Sequence, residues 1–213
     1  MAFEWKKSPV VLYSVLAIIL ATVLSFIKCG SDTPEQSQAR IYGITLQEAV
    51  GFGAAMEASN QLGEGGGGVV LVLPGDGSDK LDSMMAEPYK RGFEEGIKTR
   101  SAIRLLGIYT NYNRPDLGIL SEVRTKFPQA TLLVLFTGVP VVEDQGAVSI
   151  WQQGQPPKVI AFYQGNTVKL VYHAVSQRVV NAGIIWKPNA PFPTAPPEGK
   201  HQEIFDRHYQ ILR

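Results

Sequence analysis

Residues 69–98 read VVLVLPGDGSDKLDSMMAEPYKRGFEEGIK, and this stretch decides the fold. Val69–Leu73 is a continuous apolar run closed by Pro74-Gly75-Asp76-Gly77, the pattern of a strand buried on both faces and followed by a loop. From Met84 to Lys98 the period becomes helical. Met85, Tyr89, Phe93 and Ile97 form one stripe, and Glu87, Lys90, Arg91, Glu94, Glu95 and Lys98 take the other side with opposite charges four apart. Pro88 falls in the first turn, where its missing N–H costs little. Gly92 and Gly96 beside the stripe are expected to let the helix approach a sheet closely.

Outward from this unit the alternation repeats. Strands are predicted at Ile103–Tyr109, Thr131–Phe136, Val159–Tyr163 and Gly183–Trp186. Helices are predicted from Pro115 to Phe127, over Gln145–Gln153 and over Thr167–Val175. Short apolar strands alternating with amphipathic helices give crossovers between parallel strands. The fold class is therefore α/β, a single doubly wound, mostly parallel sheet over about residues 69–188.

Ahead of it, Thr45 with Glu48 resembles a capping box opening a helix through Leu62, a loose pattern weakened by Gly51 and Gly53. The run Gly63-Glu64-Gly65-Gly66-Gly67-Gly68 lacks the Lys of a phosphate loop and precedes a strand instead of following one, so it reads as a flexible hinge. Residues 28–68 are thus expected to be a juxtamembrane linker with a helix and a hinge. Residues 189–213 are expected to be a Pro-rich arm and an amphipathic helix.

Ser8–Ile27 contains no charge and is long enough to span roughly 30 Å of hydrocarbon as a helix. Lys6 and Lys7 precede it and Lys28 follows. The bias in positive charge places residues 1–7 in the cytoplasm and the rest outside it, in a single-pass inner-membrane arrangement that contacts lipid through residues 8–27. Phe26-Ile27-Lys28 offers no small residues for a signal peptidase or for a lipid-modified Cys29, so the helix is expected to stay as an anchor. With one cysteine, the chain has no internal disulfide framework.

The formal net charge is +1. Residues 1–28 carry Lys6, Lys7 and Lys28 against Glu4, a net +2 that leaves −1 for residues 29–213. A near-neutral domain has no clustered basic face, and nucleic acid is set aside as a partner.

VVLVLPGDGSD, RGFEEGIK, AIRLLGIYTNYNRPDL and TLLVLFTG together resemble the N-terminal lobe of type 1 periplasmic (sugar) binding proteins, and NAGIIWKPNAP is similar to the strand-and-proline ending common there. The resemblance implies a lobe fold and a second lobe closing over a ligand; residues 69–213 hold one lobe.

In an open parallel sheet, ligands sit at the loops after the strand carboxyl ends. Those loops supply Asp76, Ser78 and Asp79, then Asn111 and Asn113, then Thr137, then Gln164. Such hydroxyls, amides and carboxylates suit a small polar ligand; the structural alternative is that they cap helices and close turns. No nucleophile elbow, dinucleotide fingerprint or metal-ligand spacing occurs, so no catalytic residue, cofactor or metal is expected. On the last segment, Ile204, Phe205, Ile211 and Leu212 share a helical face that would contact another membrane or envelope protein. The function expected is a membrane-anchored, non-catalytic scaffold subunit. The alternative is a membrane-tethered solute-binding or sensing module for a small polar ligand such as a sugar, with a second copy of the chain supplying the missing lobe.

Overall fold

The computed structural model describes residues 34–75, 85–111, 113–164, 168–191, 195 and 197–213. The predicted membrane run 8–27, the cytoplasmic segment 1–7 and Cys29 lie outside the described residues, as does the loop holding Asp76, Ser78 and Asp79. No helix among the described residues is long and apolar enough to cross a membrane.

The elements are α1 (Pro34–Leu62), β1 (Gly67–Leu73), α2 (Glu87–Ile97), β2 (Ile103–Thr110), α3 (Leu117–Lys126), β3 (Leu132–Leu135), α4 (Gln145–Gln153), β4 (Lys158–Tyr163), α5 (Lys169–Ser176), β5 (Ala182–Trp186), α6 (His201–His208) and β6 (Tyr209–Leu212). They form one six-stranded sheet in the order β2-β1-β3-β4-β5-β6. The first five strands are parallel and β6 runs antiparallel to β5.

Side chains alternate across the strands, and both sets are buried. Val69, Leu71 and Leu73 join a core with α1, α2 and α6, through Val50, Phe93 and Ile204. Val70 and Val72 join a second core with α3, α4 and α5, through Leu120, Trp151 and Val171. Burial on both faces is why these strands read as unbroken apolar runs. Asp116 and Asp144 cap α3 and α4, accepting from the N–H of Ile119 at 2.8 Å and of Gly146 at 2.7 Å.

The ends of the domain differ from the prediction. The compact unit runs from Ile41 to Arg213, wider than 69–188 on both sides. Residues after Ile41 are not a linker: Ala49, Val50, Ala54, Ala55 and Ala58 of α1 are fully buried. Thr45 does not cap this helix. It lies inside it, its hydroxyl donating to the Ile41 carbonyl at 2.9 Å. The close approach expected of the α2 glycines is made to α1 rather than to the sheet. A Cβ on Gly92 would stand 2.0 Å from the Glu48 carbonyl oxygen, and one on Gly51 would stand 2.2 Å from that of Tyr89. The glycine run is a tight turn instead of a hinge. Gly63 and Gly66 take φ of +63° and +61°, and a Cβ on Gly66 would collide with the Ala102 carbonyl.

The last segment is also corrected. The helix stops at His208, and Tyr209–Leu212 pairs with β5, Trp186 opposite Tyr209 and Ile184 opposite Ile211. Pairing satisfies the backbone of what would otherwise be an open edge strand.

Candidate functional site

The strand order reverses direction at β1, which has β2 on one side and β3 on the other. Beyond the carboxyl ends of the parallel strands lie two adjacent cavities. The first, about 480 Å³, is walled by Tyr42, Leu46 and Gln47 of α1, Tyr89 of α2, the β4 end Phe162-Tyr163-Gln164, Trp186 ending β5, and Tyr209 opening β6. The second, about 300 Å³, is walled by Arg114, the β3 exit Phe136-Thr137-Gly138-Val139, Leu170, and the same Phe162-Tyr163-Gln164. The end of β4 is their common wall.

The first cavity is an aromatic box. Tyr89 lies 5.8 Å from Phe162, Phe162 lies 6.0 Å from Tyr209, and Tyr209 lies 5.1 Å edge-on from Trp186, between ring centroids. The Trp186 Nε1 donates to the Ala190 carbonyl at 3.0 Å, which holds the indole in place. Burial pushes the Tyr89 phenol up to about 12 against a hydrogen bond from Gln47. Burial, with the Tyr89 and Tyr42 phenols near it, raises Tyr209 as well. These phenols stay protonated and act as neutral hydrogen-bonding groups. Among the described lining residues of this cavity none is charged. The Oε1 of Gln47 is buried without a hydrogen-bond partner.

In the second cavity the Thr137 hydroxyl is likewise buried and unpartnered. Arg114 uses its Nε on the Val139 carbonyl at 2.8 Å, which fixes the plane of the guanidinium beside the β3 exit.

Of the residues expected at the sheet edge, Thr137 and Gln164 come together here, Gln164 on both cavities. Asn111 and Asn113 do not. The Asn111 amide donates to the Asn113 carbonyl at 2.9 Å and accepts from its N–H at 3.1 Å, so this pair closes a turn, as the structural alternative held. Asp76, Ser78 and Asp79 lie outside the described residues. The expected partner-contact face is corrected: Ile204 and Phe205 are buried in this chain's own core, and Ile211 and Leu212 pack against the two cores from β6. The sequence reading missed Tyr42, Gln47, Tyr89, Arg114, Trp186 and Tyr209 as site residues. An aromatic ring closing an apolar strand, as Tyr163 and Trp186 do, was the available signal.

No family model and no curated protein sequence matches the chain. Solved structures do. Several of the structures that match are named as sugar-binding proteins. The glucose-galactose binding protein GanP from Geobacillus stearothermophilus is 15% identical, with a TM-score of 0.48 over 67% of this chain and 48% of its own. A chain of the XylFII-LytSN complex is 18% identical, with a TM-score of 0.49 over 67% and 50%. A Mycobacterium smegmatis protein is 15% identical, with a TM-score of 0.50 over 78% and 57%. At these identities the likeness is one of fold, and the resemblance expected from the sequence holds at that level. This chain spans about half the length of the structures it matches.

Proposed function

We propose that this protein is a membrane-tethered solute-binding module. Its ligand is a small polar molecule such as a sugar, held without chemical turnover in the cavities at the carboxyl edge of the sheet. The observation that carries this reading is the first cavity: about 480 Å³, walled by aromatic rings and uncharged amides. That volume lies in the range of small-molecule sites, roughly 300–1,000 Å³. Aromatic faces accept the C–H face of a sugar ring, while Gln47, Gln164 and the phenols supply donors and acceptors for hydroxyls. Sugar is also what several proteins with a similar sheet are named for; for this chain it is proposed on its own lining.

In this proposal Ser8–Ile27 anchors the domain in the inner membrane and the domain faces away from the cytoplasm. Loss of the terminal helix face to the core removes the feature that favoured a scaffold role. The wall opposite the cavities would come from a second copy of the chain or from another envelope protein.

A thermal-shift screen of the full chain in detergent, with neutral sugars, amino acids and nucleosides, tests the reading. A sugar should raise Tm, and Trp186→Ala should abolish that rise. If no sugar raises Tm, or if the Trp186→Ala protein still responds fully, the cavity is not the binding site.

A further inference from the structure

The two cavities share Phe162, Tyr163 and Gln164 and so abut over the end of β4, yet their chemistry differs. The first is uncharged among its described lining residues. The second holds Arg114 as the single charge among its described lining residues. Arg114 is anchored by Nε to the Val139 carbonyl, and among the described residues no carboxylate is paired with it. Its remaining N–H groups form a planar fork that matches a carboxylate two-to-two. Thr137, buried with an unpartnered hydroxyl, lies on the same wall.

We propose that this double cavity takes an acidic sugar, its pyranose ring in the aromatic first cavity and its carboxylate on Arg114 and Thr137 in the second. The proposal rests on the solute-binding reading and narrows its ligand class. One guanidinium balances one negative charge. A phosphate dianion would need a second cation or a nest of backbone N–H groups, and the described lining has no second cation. A neutral sugar would fill the first cavity and leave the Arg114 fork to water.

Isothermal titration of the full chain in detergent should compare D-glucuronate and D-galacturonate with D-glucose and D-galactose, and with glucose 6-phosphate. We expect at least one uronate to bind about tenfold tighter than its neutral parent, a margin of the size a charge-assisted pair supplies. Arg114→Gln should erase that margin, so that in this variant the uronate and its neutral parent bind alike. Because Arg114→Gln also loses the bond to Val139, a second measurement uses the unaltered chain. Raising the salt from about 0.05 M to about 0.5 M should weaken the uronate and not the neutral sugar. Equal affinity for uronate and neutral sugar, a tighter phosphate, or salt-independent uronate binding overturns the inference and leaves the solute-binding reading standing. If none of these sugars binds, both fail.

Discussion

Glu57 of α1 and Arg213, 156 positions apart, are joined by two hydrogen bonds: Nε to Oε1 at 3.0 Å and Nη2 to Oε2 at 2.6 Å. Glu57 is fully buried, and Gln61 and Asn60 also donate to its carboxylate, at 2.7 and 3.3 Å. The pair ties the end of the chain to the helix that precedes the sheet. Burial alone would raise the Glu57 pKa; the hydrogen bonds from Arg213, Gln61 and Asn60 and the charge of Arg213 outweigh it and hold the group below its ordinary 4.5. A carboxyl depressed in the folded state stabilises above its unfolded value, and that stability is lost as pH falls through the folded value.

Arg213→Ala should therefore destabilise the domain by about 1–3 kcal/mol, because it leaves a buried carboxylate short of two donors. The figure sits toward the lower end, since Arg213 is itself 59% exposed. In urea titrations, the advantage of the unaltered protein over Glu57→Gln should be full at pH 7 and shrink as pH drops below 4.5. An advantage that is constant with pH would show that the carboxylate charge contributes nothing.

His208, in the same terminal segment as Arg213, should give the domain a second, higher pH step. It is buried, its two ring nitrogens have no hydrogen-bond partner, and its ring stacks on Trp186 with centroids 5.0 Å apart. Burial, then the charges of Arg207 and Lys187, lower its pKa below the ordinary 6.5. The folded protein thus favours the neutral ring, and its stability should fall as pH drops below 6.5. His208→Phe keeps the stack and should flatten the Tm profile between about pH 7 and pH 5. A profile as steep as before would place the titration elsewhere.

Gly92→Ala tests the α1–α2 contact. A Cβ there would meet the Glu48 backbone carbonyl at 2.0 Å, which no rotamer change relieves. We expect a loss of about 1–3 kcal/mol, typical of overpacking, and loss of the Arg91–Glu48 ion pair, now 2.7 Å. Gly43→Ala, in the same helix with nothing within 4 Å of its Cβ, should instead be neutral or stabilising by up to about 1 kcal/mol. Chemical denaturation of the two variants side by side decides it; equal losses would mean the helices do not approach as described.

For the proposed anchor, the full chain should remain in the membrane pellet after alkaline wash, and its intact mass should begin at Met1 or Ala2. Deleting residues 1–28 should release it to the supernatant. A mature chain starting at Cys29 would overturn the anchor.

By itself the sequence determined the five parallel strands of the sheet. Val69–Leu73 and Leu132–Leu135 are apolar at every position, and a segment that short with no polar face is stable only between two covering layers. Helices α2 and α4 followed from stripes and spacing that any packing partner would preserve. Tertiary structure decided what lies outside that pattern. The glycines and alanines of α1 give a poor helical signal because they carry almost no apolar side chain, and their use appears only when the α2 backbone arrives against them. His201–Leu212 has a helical period throughout, but the open edge of β5 offered Tyr209–Leu212 a ladder of backbone hydrogen bonds, and pairing won over local period. The cavities were least legible. Tyr42, Tyr89, Phe162, Trp186 and Tyr209 come from five elements, each ring ordinary in its own segment. Only the strand order brings them to one end of the sheet.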